Sequence, residues 1–306
     1  MGAMTDGGPT PRRATIRSIG RHGFHNIAYL DWGDTGAADV AFCVHGLSRN
    51  SHDFDPLARV LAARRRVVCP DLVGRGRSDW LHDPTDYNML QYNLDLTVLA
   101  ARIGAERFDW IGTSLGGLMG IALAGMPNSP IRRLVINDIA PEIPVPALRR
   151  LARYLGADRR FTDLEALELY LRETLASFGP MTDADWRRMA ETSFSATDGG
   201  FRLAYDPRIA RNFRHYWLLI HANLWHYWDS IDCPVLILRG TESDFLTPNL
   251  LERMLRRLPH AEVIEFLGVG HTPTLNAPDQ IDPVDAWLNR DAPGAAANEG
   301  PGSGAR

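Results

Sequence analysis

Short apolar runs and longer amphipathic stretches alternate along most of this chain. Runs of strand character cover Ala14–Ser18, His25–Trp32, Asp39–Val44, Arg66–Pro70, Phe108–Ile111, Ile131–Asn137, Pro234–Arg239 and Ala261–Phe266. Between them, Asp53–Ala63 sets Phe54, Leu57 and Leu61 on one helical face, and Met89–Gly104 repeats leucine at helical intervals. Leu115–Gly125 is small and apolar throughout, as suits a helix packed on a sheet, and further helices are expected at Asn249–Leu258 and Asp282–Asn289. Strands alternating with helices on short connections predict an α/β fold: a mostly parallel eight-stranded sheet with helices on both faces.

One stretch breaks the pattern. From about Glu142 to Trp228 the spacing is helical and no convincing strand is found, with candidate helices at Pro146–Leu155, Asp163–Phe178, Asp183–Thr192 and Asn212–Asn223. An all-helical insertion between two strands is most simply a lid over the carboxyl edge of the sheet, where open α/β sheets bind ligands. The expected division is a loose N-terminus at 1–11, a discontinuous core at 12–141 and 232–291, a helical lid at 142–231, and a loose tail at 292–306.

Composition narrows the function classes. The 306 residues are 45% hydrophobic, enough for a sizeable core. The 33 basic residues are all arginine and face 37 acidic ones, for a formal net charge of −4 with no basic block. Such a chain is not expected to bind nucleic acid or an anionic membrane nonspecifically. Apolar runs as short as Val40–Val44 do not span a bilayer, and no charged segment followed by an apolar one opens the chain as a signal peptide. Cys43, Cys69 and Cys233 lie far apart without metal-ligand spacing, which reads as free thiols of a reduced, cytoplasmic compartment.

The chemistry concentrates in Gly112-Thr113-Ser114-Leu115-Gly116, between a strand and the small-residue helix. A strand turning sharply into a helix exposes the middle hydroxyl, and glycines two positions away on either side remove the clashes. A serine nucleophile needs a base, and the base an orienting acid. Of ten histidines, His271 follows the last strand and emerges at the same sheet edge as Ser114. His215, His221 and His226 are spaced by six and five, which does not gather three ligands on one helical face, so no metal site is read there. Asp244, in the loop after Leu236-Ile237-Leu238, is the expected acid, giving the chain order Ser114, Asp244, His271. Asp138, at the end of the preceding strand, and Glu242 are its rivals. Backbone N–H groups of Leu47 and Leu115 are expected to receive the oxyanion, with Gly46 letting the loop approach and His45 tying that loop down. Arg49 beside this loop either faces solvent or holds a substrate carboxylate.

These residues resemble the α/β-hydrolase superfamily in its lidded branch, from about Arg17 to Arg290. The resemblance is carried by His45-Gly46, by Asp71-Leu72-Val73-Gly74-Arg75-Gly76-Arg77-Ser78, by the Ser114 elbow, by the Asp244 loop and by Gly270-His271. It implies an α/β-hydrolase fold, a Ser–Asp–His hydrolase of a small ester, lactone or related carbonyl compound, and no metal or organic cofactor. Serine at the elbow, in place of aspartate, departs from epoxide hydrolases and haloalkane dehalogenases. Carbon–carbon hydrolases of ring-cleavage products, and a ligand-binding member with negligible turnover, remain alternatives. The aromatic lid exit, with Trp217 and Trp225, either packs the lid onto the core or walls an apolar acyl pocket. Gly117 is expected to leave room beside the nucleophile.

Overall fold

The computed structural model describes residues 9–211 and 223–290. Eight strands form the main sheet: β1 (Arg12–Gly20), β2 (Gly23–Trp32), β3 (Val40–Val44), β4 (Arg66–Pro70), β5 (Phe108–Thr113), β6 (Ile131–Asn137), β10 (Val235–Gly240) and β11 (Glu262–Phe266). Their spatial order is β1-β2-β4-β3-β5-β6-β10-β11. β1 and β2 are antiparallel, β2 joins β4 antiparallel, and the remaining pairs run parallel. The eight expected strands and the α/β-hydrolase fold are therefore present.

The central strands are buried on both faces, and their alternate residues serve two cores. Val40, Phe42 and Val44 of β3, with Val235 and Ile237 of β10, face one side. There they meet α2 (Met89–Arg102), α3 (Leu115–Ala124) and α8 (Pro248–Arg257), through Leu99, Met119 and Met254. Ala41, Cys43, Leu236 and Leu238 face the other side, against α1 (Asp55–Leu61) and α9 (Pro278–Leu288), through Leu57, Leu61 and Trp287. This period-two division is why the strands read as continuous apolar runs.

The insertion carries the expected helices α4 (Val145–Ala152), α5 (Leu164–Thr174) and α6 (Asp183–Thr192). α5 and α6 share a small core of Leu167, Leu171, Leu175, Trp186 and Ala190, while Ala147 of α4 joins the main core. The insertion is not all-helical. β7 (Arg160–Phe161), β8 (Phe194–Thr197) and β9 (Gly200–Leu203) form a three-stranded antiparallel sheet in the order β7-β9-β8. The β8–β9 hairpin turns at Asp198-Gly199, with Thr197 opposite Gly200, the two-residue Asp-Gly loop that favours tight hairpins. That dipeptide was the available sequence signal. Apolar alternation was weak because no residue of this hairpin is fully buried. The candidate helix at 212–223 falls almost wholly outside the described residues, as do both loose ends. No described helix is long and apolar enough to cross a membrane.

Candidate active site

β5 ends in Thr113, and Ser114 follows at φ 51°, ψ −109°, immediately before α3. A non-glycine residue in this conformation is strained and persists because its surroundings over-determine it. The flanking glycines make the turn sterically feasible. A Cβ on Gly112 would stand 2.2 Å from the Gly116 carbonyl oxygen, and one on Gly116 would stand 2.1 Å from that of Val44. Both obstacles are backbone and cannot swing away. Gly116→Ala is therefore expected to cost about 3 kcal/mol or more of stability, against less than about 0.5 kcal/mol for Gly36→Ala, as measured by chemical denaturation. Equal stability of the two variants would refute the steric argument.

His271 follows β11 and is anchored from the insertion: Ser177 Oγ donates to the His271 carbonyl at 3.0 Å, and Gly270 N–H donates to the Ser177 carbonyl at 2.8 Å. Its Nε2 lies 3.0 Å from Ser114 Oγ, and its Nδ1 lies 2.8 Å from Asp138 Oδ2. Phe245 stacks on the imidazole at 3.8 Å with planes 12° apart.

The partner of His271 is thus Asp138, where the sequence reading put Asp244. β6 lies directly beside β5, so its end presents Asp138 between Ser114 and the His271 loop. Asp138 is wholly buried at φ 59°. Its Oδ1 accepts the Gly240 N–H at 3.0 Å, and its Oδ2 also accepts the Ser243 hydroxyl at 2.6 Å. The loop after β10 therefore reaches Asp138 through Ser243, while the next residue turns outward. Asp244 is bound by Arg150 of α4, Nε and Nη2 each donating to one oxygen at 2.7 and 2.8 Å. Burial alone would raise the Asp244 pKa, but the Arg150 hydrogen bonds and charge outweigh it and hold the carboxyl below its ordinary value.

The loop after β3 closes the other side. A Cβ on Gly46 would lie 3.7 Å from the Ser114 Cβ, so this loop runs against Ser114. Leu115 opens α3, and a first-turn N–H has no acceptor within its helix. Leu47 lines the same cleft as Ser114. His45 bonds only to backbone, donating from Nδ1 to the Gly46 carbonyl at 2.7 Å and accepting the Leu72 N–H on Nε2 at 3.0 Å. Burial drives its pKa down to about 3, so it stays neutral at working pH and ties the loop.

Arg49 lines the cleft but is buried, against the solvent-facing expectation. Its guanidinium holds Asp53 in a bidentate pair and donates to Ser193 Oγ at 2.9 Å, so each of its three nitrogens already makes a hydrogen bond and its charge is balanced by Asp53. Trp225 does not line this cleft. It sits in the short helix α7 (Trp225–Trp228), its Nε1 donates to Glu142 at 2.6 Å, and Arg253 lies 4.1 Å over its ring. Trp217, His215 and His221 lie outside the described residues. Gly117 does not open space beside Ser114, because a Cβ there would meet Ile139 at 2.6 Å. Residues the sequence reading passed over supply the walls instead: Leu151, Tyr154, Phe178, Met181 and Met189 from the insertion, with Phe245 from the core. Among the described residues no three His, Cys, Asp or Glu side chains gather as metal ligands.

The alpha/beta hydrolase family model matches residues 41–283 of this chain. The chain is 41% identical over 280 residues to a 3-hydroxybutyrate-oligomer hydrolase of Cupriavidus necator, covering 89% of this chain and 96% of that protein. It is 29% identical over 241 residues to a 2-(acetamidomethylene)succinate hydrolase of Mesorhizobium japonicum, covering 78% and 83%. A solved alpha/beta hydrolase from Novosphingobium aromaticivorans superimposes with a TM-score of 0.81 at 32% identity, over 92% of this chain and 99% of the other.

Proposed function

Because this chain belongs to the alpha/beta hydrolase family, we propose that it hydrolyses carboxylic esters through an acyl-enzyme on Ser114, with short oligoesters of 3-hydroxy acids as its substrates. The observation that carries the reading is the unbroken line of hydrogen-bonding atoms from Ser114 Oγ in the cleft through His271 to the buried Asp138. The substrate class is supported by the 41% identity to the Cupriavidus protein. A cleft lined by Leu151, Met181 and Met189 beside Ser48 and Thr174 also suits a chain that alternates methyl-bearing carbons with ester oxygens.

In this mechanism His271 Nε2 takes the Ser114 proton as Oγ attacks the ester carbonyl carbon. The oxyanion is received by the Leu47 and Leu115 N–H groups. Asp138 fixes the tautomer in which Nδ1 carries hydrogen, and balances the imidazolium that forms. The C–O bond to the alcohol breaks and that oxygen takes the proton from Nε2. Water, deprotonated by His271, then attacks the acyl-enzyme, and Ser114 leaves with its proton restored. Each turnover consumes one water and releases one carboxylic acid and one alcohol.

Purified protein should convert 3-hydroxybutyrate dimer and trimer to monomer, followed by chromatography. The oligomers should exceed a vinylogous diketone by at least about tenfold in kcat/KM. Faster cleavage of the diketone would replace the ester reading with carbon–carbon hydrolysis. Activity on simple p-nitrophenyl esters but none on the oligomers would leave the ester hydrolase and overturn the substrate class.

A further inference from the structure

Arg75 sits between the two glycines of the Gly74-Arg75-Gly76 turn and is wholly buried. No carboxylate among the described residues lies within ion-pair distance of it. Its Nε donates to the Leu47 carbonyl at 2.8 Å and its Nη1 to the Val73 carbonyl at 2.8 Å, while Nη2 has no hydrogen-bond partner. The ring of Tyr92 faces the guanidinium at 4.8 Å and that of Tyr87 at 5.8 Å. A cation withdrawn from water without a counter-charge costs several kcal/mol, which packing alone would not recover.

The position of this charge is what distinguishes it. Leu47 lines the cleft and belongs to the loop that runs against Ser114, so Arg75 holds the carbonyl of the residue whose N–H is assigned to the oxyanion. The positive charges of Arg75 and Arg49 both reach His45 in the same loop, but Arg49 is neutralised by Asp53. The turn is in turn clamped by the chain leaving β9. Gly76 N–H donates to the Ala204 carbonyl at 2.7 Å, Asp206 N–H donates to the Gly74 carbonyl at 2.8 Å, and Arg75 pairs with Tyr205 in an antiparallel bridge. The return of the insertion thus braces the residue that braces the loop.

We propose that Arg75 is a positioning residue for the oxyanion site, fixing the Leu47 peptide and supplying unneutralised positive charge behind the place where negative charge develops. The proposal rests on the acyl-enzyme reading above. Such a charge favours the tetrahedral state over the neutral ester, so its removal acts on kcat more than on KM.

The test compares Arg75→Gln, which keeps a donor and loses the charge, with Arg75→Lys, which keeps the charge. The readouts are kcat per active site titrated with a fluorophosphonate, KM, and the affinity of an alkyl boronic acid, a tetrahedral mimic. Arg75→Gln should lower kcat by about tenfold to a hundredfold with KM within about twofold, and boronate affinity should fall in parallel. Arg75→Lys should recover a substantial part of both. A merely structural role predicts fewer titratable sites with unchanged kcat per site, and that result in both variants would overturn the proposal. If Arg75→Gln does not fold, a lysine variant with wild-type boronate affinity and kcat supports the charge, and one that loses both by a hundredfold overturns it. Wild-type protein that neither reacts with the fluorophosphonate nor turns over esters would instead overturn the acyl-enzyme reading, and this proposal with it.

Discussion

Asp138→Asn is expected to lower kcat for ester hydrolysis by about four orders of magnitude, whereas Asp244→Asn should change it by less than about tenfold. The carboxylate of Asp138 accepts from His271 Nδ1 at 2.8 Å and thereby leaves Nε2 free to accept from Ser114. An asparagine can turn its amide N–H toward Nδ1, which moves the ring proton to Nε2 and removes the base that faces the serine. The effect should appear at once in steady-state turnover and in the rate of fluorophosphonate labelling. Asp244 serves a different contact. With Arg150 it forms an ion pair beside Phe245, whose ring covers the imidazole, and Arg150 lies 5.5 Å over that ring. Its loss should loosen this packing and leave the His271 tautomer intact. The reverse ranking of the two variants would restore Asp244 as the acid.

Ser114→Ala should lower ester turnover by about six orders of magnitude and abolish covalent labelling. The substitution removes one oxygen from a turn already fixed by Gly112 and Gly116, so the folded state and the product affinity should remain. Residual catalysis over water would report what the Leu47 and Leu115 amides and substrate binding contribute without the nucleophile. Ester turnover equal to wild type would mean that the reaction proceeds without an acyl-enzyme. Because labelling and turnover are read separately, a probe that fails to enter the cleft is distinguished from a serine that does not react.

The strand–helix alternation, the elbow and the position of His271 were legible in the sequence because each is encoded locally. Apolar runs mark buried parallel strands, and a glycine-flanked serine between a strand and a small-residue helix has few conformations open to it. The choice of acid was not local. β6 and β10 are neighbours in the sheet and end on the same edge, so Asp138 and Asp244 both fit the spacing arguments. What separates them is one residue of direction in the loop after β10, where Ser243 turns inward to Asp138 and Asp244 turns outward to Arg150. Arg49 was partly undetermined: its ion partner Asp53 is four residues on, but Ser193, which binds the other side of the guanidinium, is 144 residues away. The hairpin at Asp198-Gly199 escaped because its strands are short and only half-buried, leaving little apolar alternation to read.

By itself, then, the sequence determined the sheet, the glycine-flanked turn at Ser114, the place of His271 at the same sheet edge and the class of fold, because those follow from periodicity and from turns a few residues long. The tertiary structure decided which carboxylate meets His271, how Arg49 is neutralised, which side chains wall the cleft, and that Arg75 lies buried behind Leu47. Apart from the Arg49–Asp53 pair, four residues apart in one loop, each of these depends on contacts between segments distant in the chain. Their geometry is set by strand order and loop direction, and neither quantity has a local pattern of residues to announce it.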